Sequence, residues 1–191
     1  SLAMAKDSLN FDNTSNNMKV KDAVVEKLTI AIGDYTSDLY KQNLTKDVAD
    51  ALPVILRISQ YYDAISELSV TINTDKKQVE TAINVSIQEQ INLFYKHSTH
   101  LLNDVTIGQQ NSSTNTLKKD LDTIETEYQS LKSLLLRRGA EGKLSIAKMD
   151  KTMATISQIR RLLQQAFKAF IHFETLNIEI TNSNKHKKMK I

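Results

Sequence analysis

The chain has 191 residues, with no cysteine, no tryptophan, one proline and four glycines; 40% of it is hydrophobic, 25% is charged, and the formal net charge is +3. Disulfides and thiolate metal sites are therefore excluded, and the charge is too small and too interspersed to imply a nucleic-acid partner. No apolar run approaches the ~20 residues that a membrane-spanning helix needs.

So few helix breakers predict an all-helical chain rather than a sheet. The absence of cysteine agrees with a reducing compartment, and no signal peptide is visible. Residues 1 to 20, rich in Asn, Ser and Asp, have no sustained period and read as a flexible N-terminal segment or linker. Their opening Ser-Leu-Ala-Met reads as a cloning remnant, which leaves open that the native sequence was cut from a longer protein.

Residues 21 to 183 carry the helical pattern. Val25, Leu28, Ile32, Tyr35 and Leu39 step by threes and fours and predict an amphipathic helix to about Gln42. Thr45 suits the N-cap of a second helix, whose stripe is Val48, Ala51, Ile55, Ile58, Tyr62, Ile65, Ser69 and Ile72. Pro53 should kink that helix or move its start. Asn73 is expected to stop it, with Thr74 or Asp75 capping a third helix from about Lys76 to Thr106 along Val79, Ile83, Ile87, Phe94, Leu101 and Val105.

Residues 108 to 115, Gly-Gln-Gln-Asn-Ser-Ser-Thr-Asn, form the clearest loop. A fourth helix follows Leu117, Leu121, Ile124, Tyr128, Leu131 and Leu135, with Gly139 expected just beyond its end. A fifth runs from the Lys143–Lys151 stretch through Met149, Ile156, Ile159, Leu163, Ala166, Phe170 and Phe173 to about Ile180. The basic C-terminal tail, 184 to 191, reads as a solvated end that can also touch an anionic membrane surface. Five long helices with short connections predict an antiparallel bundle.

Asp63 and Glu67 stand four residues apart on the second helix, with no Lys or Arg from 58 to 75. Like charges at that spacing cost a few tenths of a kcal/mol, roughly 0.2–0.5, unless something offsets them. Asp34 and Asp38 make a second such pair, and if the first two helices pack together the pairs could meet as a four-carboxylate set for a divalent cation. His97, His100 and Asp104 form a row that reads first as a polar helix flank and second as a transition-metal site. His172 reads as a helix-flank residue.

No Ser, His and acid grouping, Gly-rich phosphate loop or nucleophilic Cys appears, so the residues offer no support for an enzyme. Phe167, Phe170 and Phe173, with Met149 and Met153, make an apolar face on the last helix. It reads as core, and otherwise as a docking face for a membrane domain or for a second copy in a homodimer.

The stretches Tyr-Asp-Ala-Ile-Ser-Glu-Leu-Ser (62 to 69) and Ile-Arg-Arg-Leu-Leu-Gln-Gln-Ala (159 to 166) have the same layout within their helices. That suggests two degenerate three-helix halves, the first helix of the first half being absent or lost in the N-terminal segment. The layout resembles the PhoU family of helical phosphate-regulon proteins, in which the third helix of each half carries an acidic Glu-x-x-x-Asp motif. Asp63 falls on that motif's Glu and Glu67 on its Asp, while Arg160 and Gln164 occupy the equivalent places of the second half. Ile32, Tyr35 and Leu39, followed by Leu52, Leu56, Arg57 and Tyr62, resemble more specifically the cytoplasmic PhoU-like domain of bacterial sodium/phosphate cotransporters.

The resemblance implies two PhoU-like halves and a regulatory or structural domain on the cytoplasmic face of the cell membrane, with no catalysis of its own. Its partners would be transporter membrane segments N-terminal to this chain. It further implies a weakly bound divalent cation or iron at Asp63 and Glu67. The alternatives are a free-standing PhoU-like phosphate-signalling regulator that binds metal and a partner protein, and an unrelated helical bundle.

Overall fold

The structure is a computed structural model that describes residues 1–9, 17–79, 85–107 and 113–188; of 76–79, 85, 107 and 179–188 it describes the backbone alone. Its helices are α1 (Leu2–Leu9), α2 (Met18–Tyr40), α3 (Lys46–Val79), α4 (Val85–Ile107), α5 (Thr114–Ala140) and α6 (Ile146–Lys188), and no strand occurs among the described residues. The described residues form an all-α bundle of five long helices and one short one.

The most extensive contact joins α3 to α6. Two side-chain pairs set it antiparallel: Gln158 Nε2 donates to Asp75 Oδ2 at 3.4 Å toward one end, and the Tyr61 and His172 rings stack 5.6 Å apart toward the other. Helices α4, α5 and α6 pack pairwise, α1 lies against both α3 and α4, and α2 packs chiefly on α3. The core follows the expected stripes: Ile65 and Ile72, then Ile87, Phe94, Leu101 and Val105, then Leu117, Ile124 and Leu135, then Ile156, Ile159, Leu163, Ala166 and Phe170. Each large side chain buried there stabilises the fold by about 1.5–3 kcal/mol. Phe167, Met149 and Met153 pack against the same cluster, so most of the apolar face of the last helix is core.

The start of the chain corrects the expected loose segment. Met4, Ala5 and Leu9 of α1 are no more than 2% exposed. The Ser8 hydroxyl donates to the Ala5 carbonyl at 2.7 Å, and the Ser66 hydroxyl reaches Met4 Sδ at 3.4 Å. Eight residues are too few to hold a helix alone. Packing against α3 and α4 holds this one, which is why no long period announces it. Residues 10–16 lie outside the described residues.

The expected stop at 73 to 75 is also corrected, because α3 runs through it to Val79. Ile72 is fully buried, Asp75 is held by Gln158, and the Thr74 hydroxyl donates to the Val70 carbonyl at 2.9 Å. The capping residues are thus absorbed into the helix, and the next one begins at Val85; Ile83 lies outside the described residues. Pro53 does not set the start of α3, which begins at Lys46, after Thr45. Of the expected loop, 108–112 lie outside the described residues, and Ser113 caps α5 by accepting from the Asn115 N–H at 3.3 Å.

Helix α5 continues through Gly139 to Ala140, and the left-handed turn residue is Gly142, with φ at 68°. A Cβ on Gly139 would stand 2.5 Å from Met149 Sδ, so this glycine serves the α5–α6 approach rather than the turn. Helix α6 extends to Lys188 and takes most of the basic tail into itself.

On α2 the burial differs from the expected stripe. Met18 and Thr36 are buried and Val25, Ile32 and Leu39 half-buried, but Leu28 is 58% and Tyr35 66% exposed. The apolar positions form two stripes, and α3 covers only one.

The two glycines with open space around a Cβ should respond oppositely. Gly142→Ala forces an L residue to positive φ and should lower unfolding stability by about 1–2 kcal/mol. Gly33→Ala, inside α2 with nothing within 4 Å, should raise it by roughly 0.5–1 kcal/mol. Urea unfolding followed by circular dichroism measures both.

Candidate functional site

The α2–α3 hairpin turns within 41 to 45. Counting back from that turn brings the middle of α3 alongside the start of α2. Asp63, half-buried, therefore faces Asp22 and Glu26, while Glu67 is exposed. Burial first, and then the charges of Asp22 and Glu26, push the Asp63 carboxyl above the ordinary aspartate range.

Asp34 and Asp38 lie toward the other end of the hairpin, and Asp38 Oδ1 accepts from Lys41 Nζ at 2.7 Å. The proposed four-carboxylate set therefore does not assemble. Among the described residues no three His, Asp or Glu side chains converge as a metal group. Asp22, Glu26 and Asp63 are near enough to repel and too dispersed to ligate one ion together. Asp22 and Glu26 were the missed residues. Their signal is an i, i+4 acidic pair as far before the turn as Asp63 is after it.

The surroundings of Arg160 on α6 are chemically different. Arg160 Nε donates to Glu125 Oε2 at 2.5 Å, and its guanidinium carbon sits 4.9 Å from the centroid of the Tyr128 ring. The Tyr128 and Ser157 hydroxyls are hydrogen-bonded at 3.0 Å. Burial works against the charge of Glu125, but donors from Gln129 and Arg160 outweigh it and hold the carboxyl below the usual glutamate range. Gln164, four residues after Arg160 along α6, is half-buried.

On α4, His97 Nδ1 lies 2.5 Å from Glu127 Oε1, and His100 Nδ1 lies 2.8 Å from Asp104 Oδ2. Each imidazole is thus tied to a carboxylate on the rim of an open hollow of about 170 Å³, lined also by Asp120, Thr123 and Ile124. Asp104 holds His100 rather than extending a ligand row. His172 of α6 stacks on Tyr61 at 20° between planes, and serves the α3–α6 contact.

No protein-family model, no curated protein and no solved structure matches this chain.

A carboxyl whose folded pKa is raised keeps its proton to higher pH in the folded chain than in the unfolded one. Its charge therefore costs stability as pH climbs through the raised value, and the cost is absent below the ordinary carboxylate range. Asp63→Asn should stabilise the fold by roughly 0.3 kcal/mol at pH 7 and leave it unchanged near pH 3. Unfolding curves at the two pH values measure this.

For Glu125 the sign reverses: its stabilisation is present above the ordinary glutamate pKa and fades as pH falls through the lowered one. Both partners are about a third exposed, at 36% and 34%, so screening limits the pair. A Glu125→Ala, Arg160→Ala double-mutant cycle should give less than about 1 kcal/mol of coupling at pH 7, and none in strong acid.

Proposed function

We propose that this chain is a PhoU-like helical domain on the cytoplasmic face of the cell membrane, where it regulates or braces a sodium-dependent phosphate transporter and performs no catalysis. The α3–α6 contact carries the reading. The similar stretches 62 to 69 and 159 to 166 both fall in the central part of that contact, given the register set by Asp75 with Gln158 and Tyr61 with His172. Two degenerate copies of one helical unit, related by an approximate two-fold axis, would bring their corresponding segments together in this way.

No helix among the described residues is long and apolar enough to cross a membrane. Sodium and phosphate would therefore pass through other segments of the transporter, N-terminal to this chain. The acids Asp22, Glu26 and Asp63, with Glu67 exposed on the same helix as Asp63, support a surface that attracts a divalent cation or iron weakly, without a closed cage.

A second reading, a free-standing PhoU-like phosphate-signalling regulator, is favoured by one observation. Helix α1 is buried against α3, which gives the first unit three helices of its own.

The discriminating experiment expresses the whole reading frame in a bacterial strain deficient in phosphate uptake and measures entry of radioactive phosphate with and without sodium. The expected result is sodium-dependent uptake whose rate, or response to external phosphate, changes several-fold when residues 1–191 are deleted. Absence of sodium-dependent uptake from the intact frame would sink the transporter reading. On the purified chain, millimolar Mn²⁺ should raise the melting temperature by about 1–2 °C, an increment lost in Asp63→Asn.

A further inference from the structure

The uncovered side of α2 carries Val20, Val24, Leu28, Ala31 and Tyr35, spaced four, four, three and four residues apart. Val20 is 64%, Val24 51%, Leu28 58% and Tyr35 66% exposed. From Val24 to Tyr35 the alternating steps are those of a coiled-coil seam, about 17 Å long at 1.5 Å per residue. A surface helix in water ordinarily places charge there.

We infer that this stripe is the seam through which two copies of the chain pair, α2 against α2 and antiparallel. The charges along the seam are self-complementary only in that direction. Lys21 and Lys27 lie along its first half and Asp34 and Asp38 along its second. In the antiparallel register Leu28 meets Ala31 of the other copy and Val24 meets Tyr35, large beside small in each layer. The same register brings Lys27 beside Asp34 of the other copy, twice by symmetry, and closes the ends with Lys21 against Asp38. The contact is isologous, each residue pair occurring twice about the two-fold axis.

A parallel arrangement would instead set Lys21 against Lys21, Asp38 against Asp38 and Tyr35 against Tyr35. An anionic membrane is the poorer occupant, because Asp34 and Asp38 would face its negative surface. The present partners of the end residues, Asp7 for Lys21 at 3.2 Å and Lys41 for Asp38 at 2.7 Å, are exposed ion pairs that hold them weakly. A seam of this length covers less than the roughly 800 Å² per partner of a standard interface, so the dimer is weak, with a Kd of roughly tens of micromolar.

Sedimentation equilibrium of the whole chain from about 1 to 500 µM tests this, with circular dichroism to establish that each variant folds. The expected result is a monomer at the low end and a dimer at the high end. Lys27→Asp or Asp34→Lys alone should weaken association at least tenfold. The double variant, or an equimolar mixture of the two single variants, should restore it, because only an antiparallel α2 pair puts positions 27 and 34 together. Leu28→Lys should abolish it.

A monomer throughout the range overturns the proposal, as does association indifferent to Lys27→Asp or not restored by the compensating change. A monomer that binds vesicles of phosphatidylcholine and phosphatidylglycerol through Leu28 also overturns it, and assigns the stripe to a lipid surface.

Discussion

Along the two longest helices, buried isoleucine and leucine alternate with small residues, and this lets α3 and α6 pack against each other over most of their shared length. Ser59, Ser66 and Ser69 of α3 and Ala166 and Ala169 of α6 are all buried. A buried hydroxyl is costly unless it is hydrogen-bonded. Here Ser59 donates to Leu56 and Ser69 to Ile65, carbonyls of their own helix, at 2.8 and 2.6 Å. Ser66 instead reaches Met4 Sδ of α1, so all three hydroxyls find an acceptor without a polar partner on α6. Once α6 is fixed on α3, the short connection at 141 to 145 lays α5 along α6, and α4 completes a three-helix unit with them.

That arrangement leaves the first unit short of cover, and α1 and α2 make it up unequally. Helix α1 is inside: its Met4, Ala5 and Leu9 complete the core against α3 and α4. Helix α2 is outside, resting on the back of α3 through half-buried Val25, Ile32 and Leu39, and it adds nothing to the central cluster. The buried cluster beside α3 is therefore built from α1, α4 and α6 rather than from α2. The position of α2 rests on a single helix–helix face, with an apolar stripe turned away from it.

What was readable from the residues follows from which signals are local. The number of long helices, their amphipathic stripes and most of the core from Ile65 to Phe170 are local periodicity, and they survive folding intact. The misses are places where a tertiary contact outweighs a local preference. Asn73 and Asp75 look like a stop and a cap, but Ile72 and Gln158 carry α3 past them. Gly139 looks like the residue beyond a helix, but it is needed where Met149 approaches, and Gly142 takes the positive φ. Helix α1 is too short to show a period. At the acidic surface Asp63 and Glu67 were visible from their spacing. The neighbours of Asp63 were not, because they depend on the hairpin register rather than on any pattern within one helix.

Helices α3 and α6 handle charge in opposite ways, and the geometry explains how both are tolerated. On α6, Arg160 is neutralised by Glu125 and lies against Tyr128, so its charge is spent within the fold. On α3, Asp63 is left beside Asp22 and Glu26 and is only half-buried, so solvent screening keeps the repulsion small. The acids Asp22 and Glu26 lie on the side of α2 that faces Asp63 of α3. The apolar stripe of Val24, Leu28 and Tyr35 occupies the opposite side of the same helix. Covering that stripe leaves the acids open to solvent, so α2 can present a partner-binding face and an ion-attracting face without either obstructing the other.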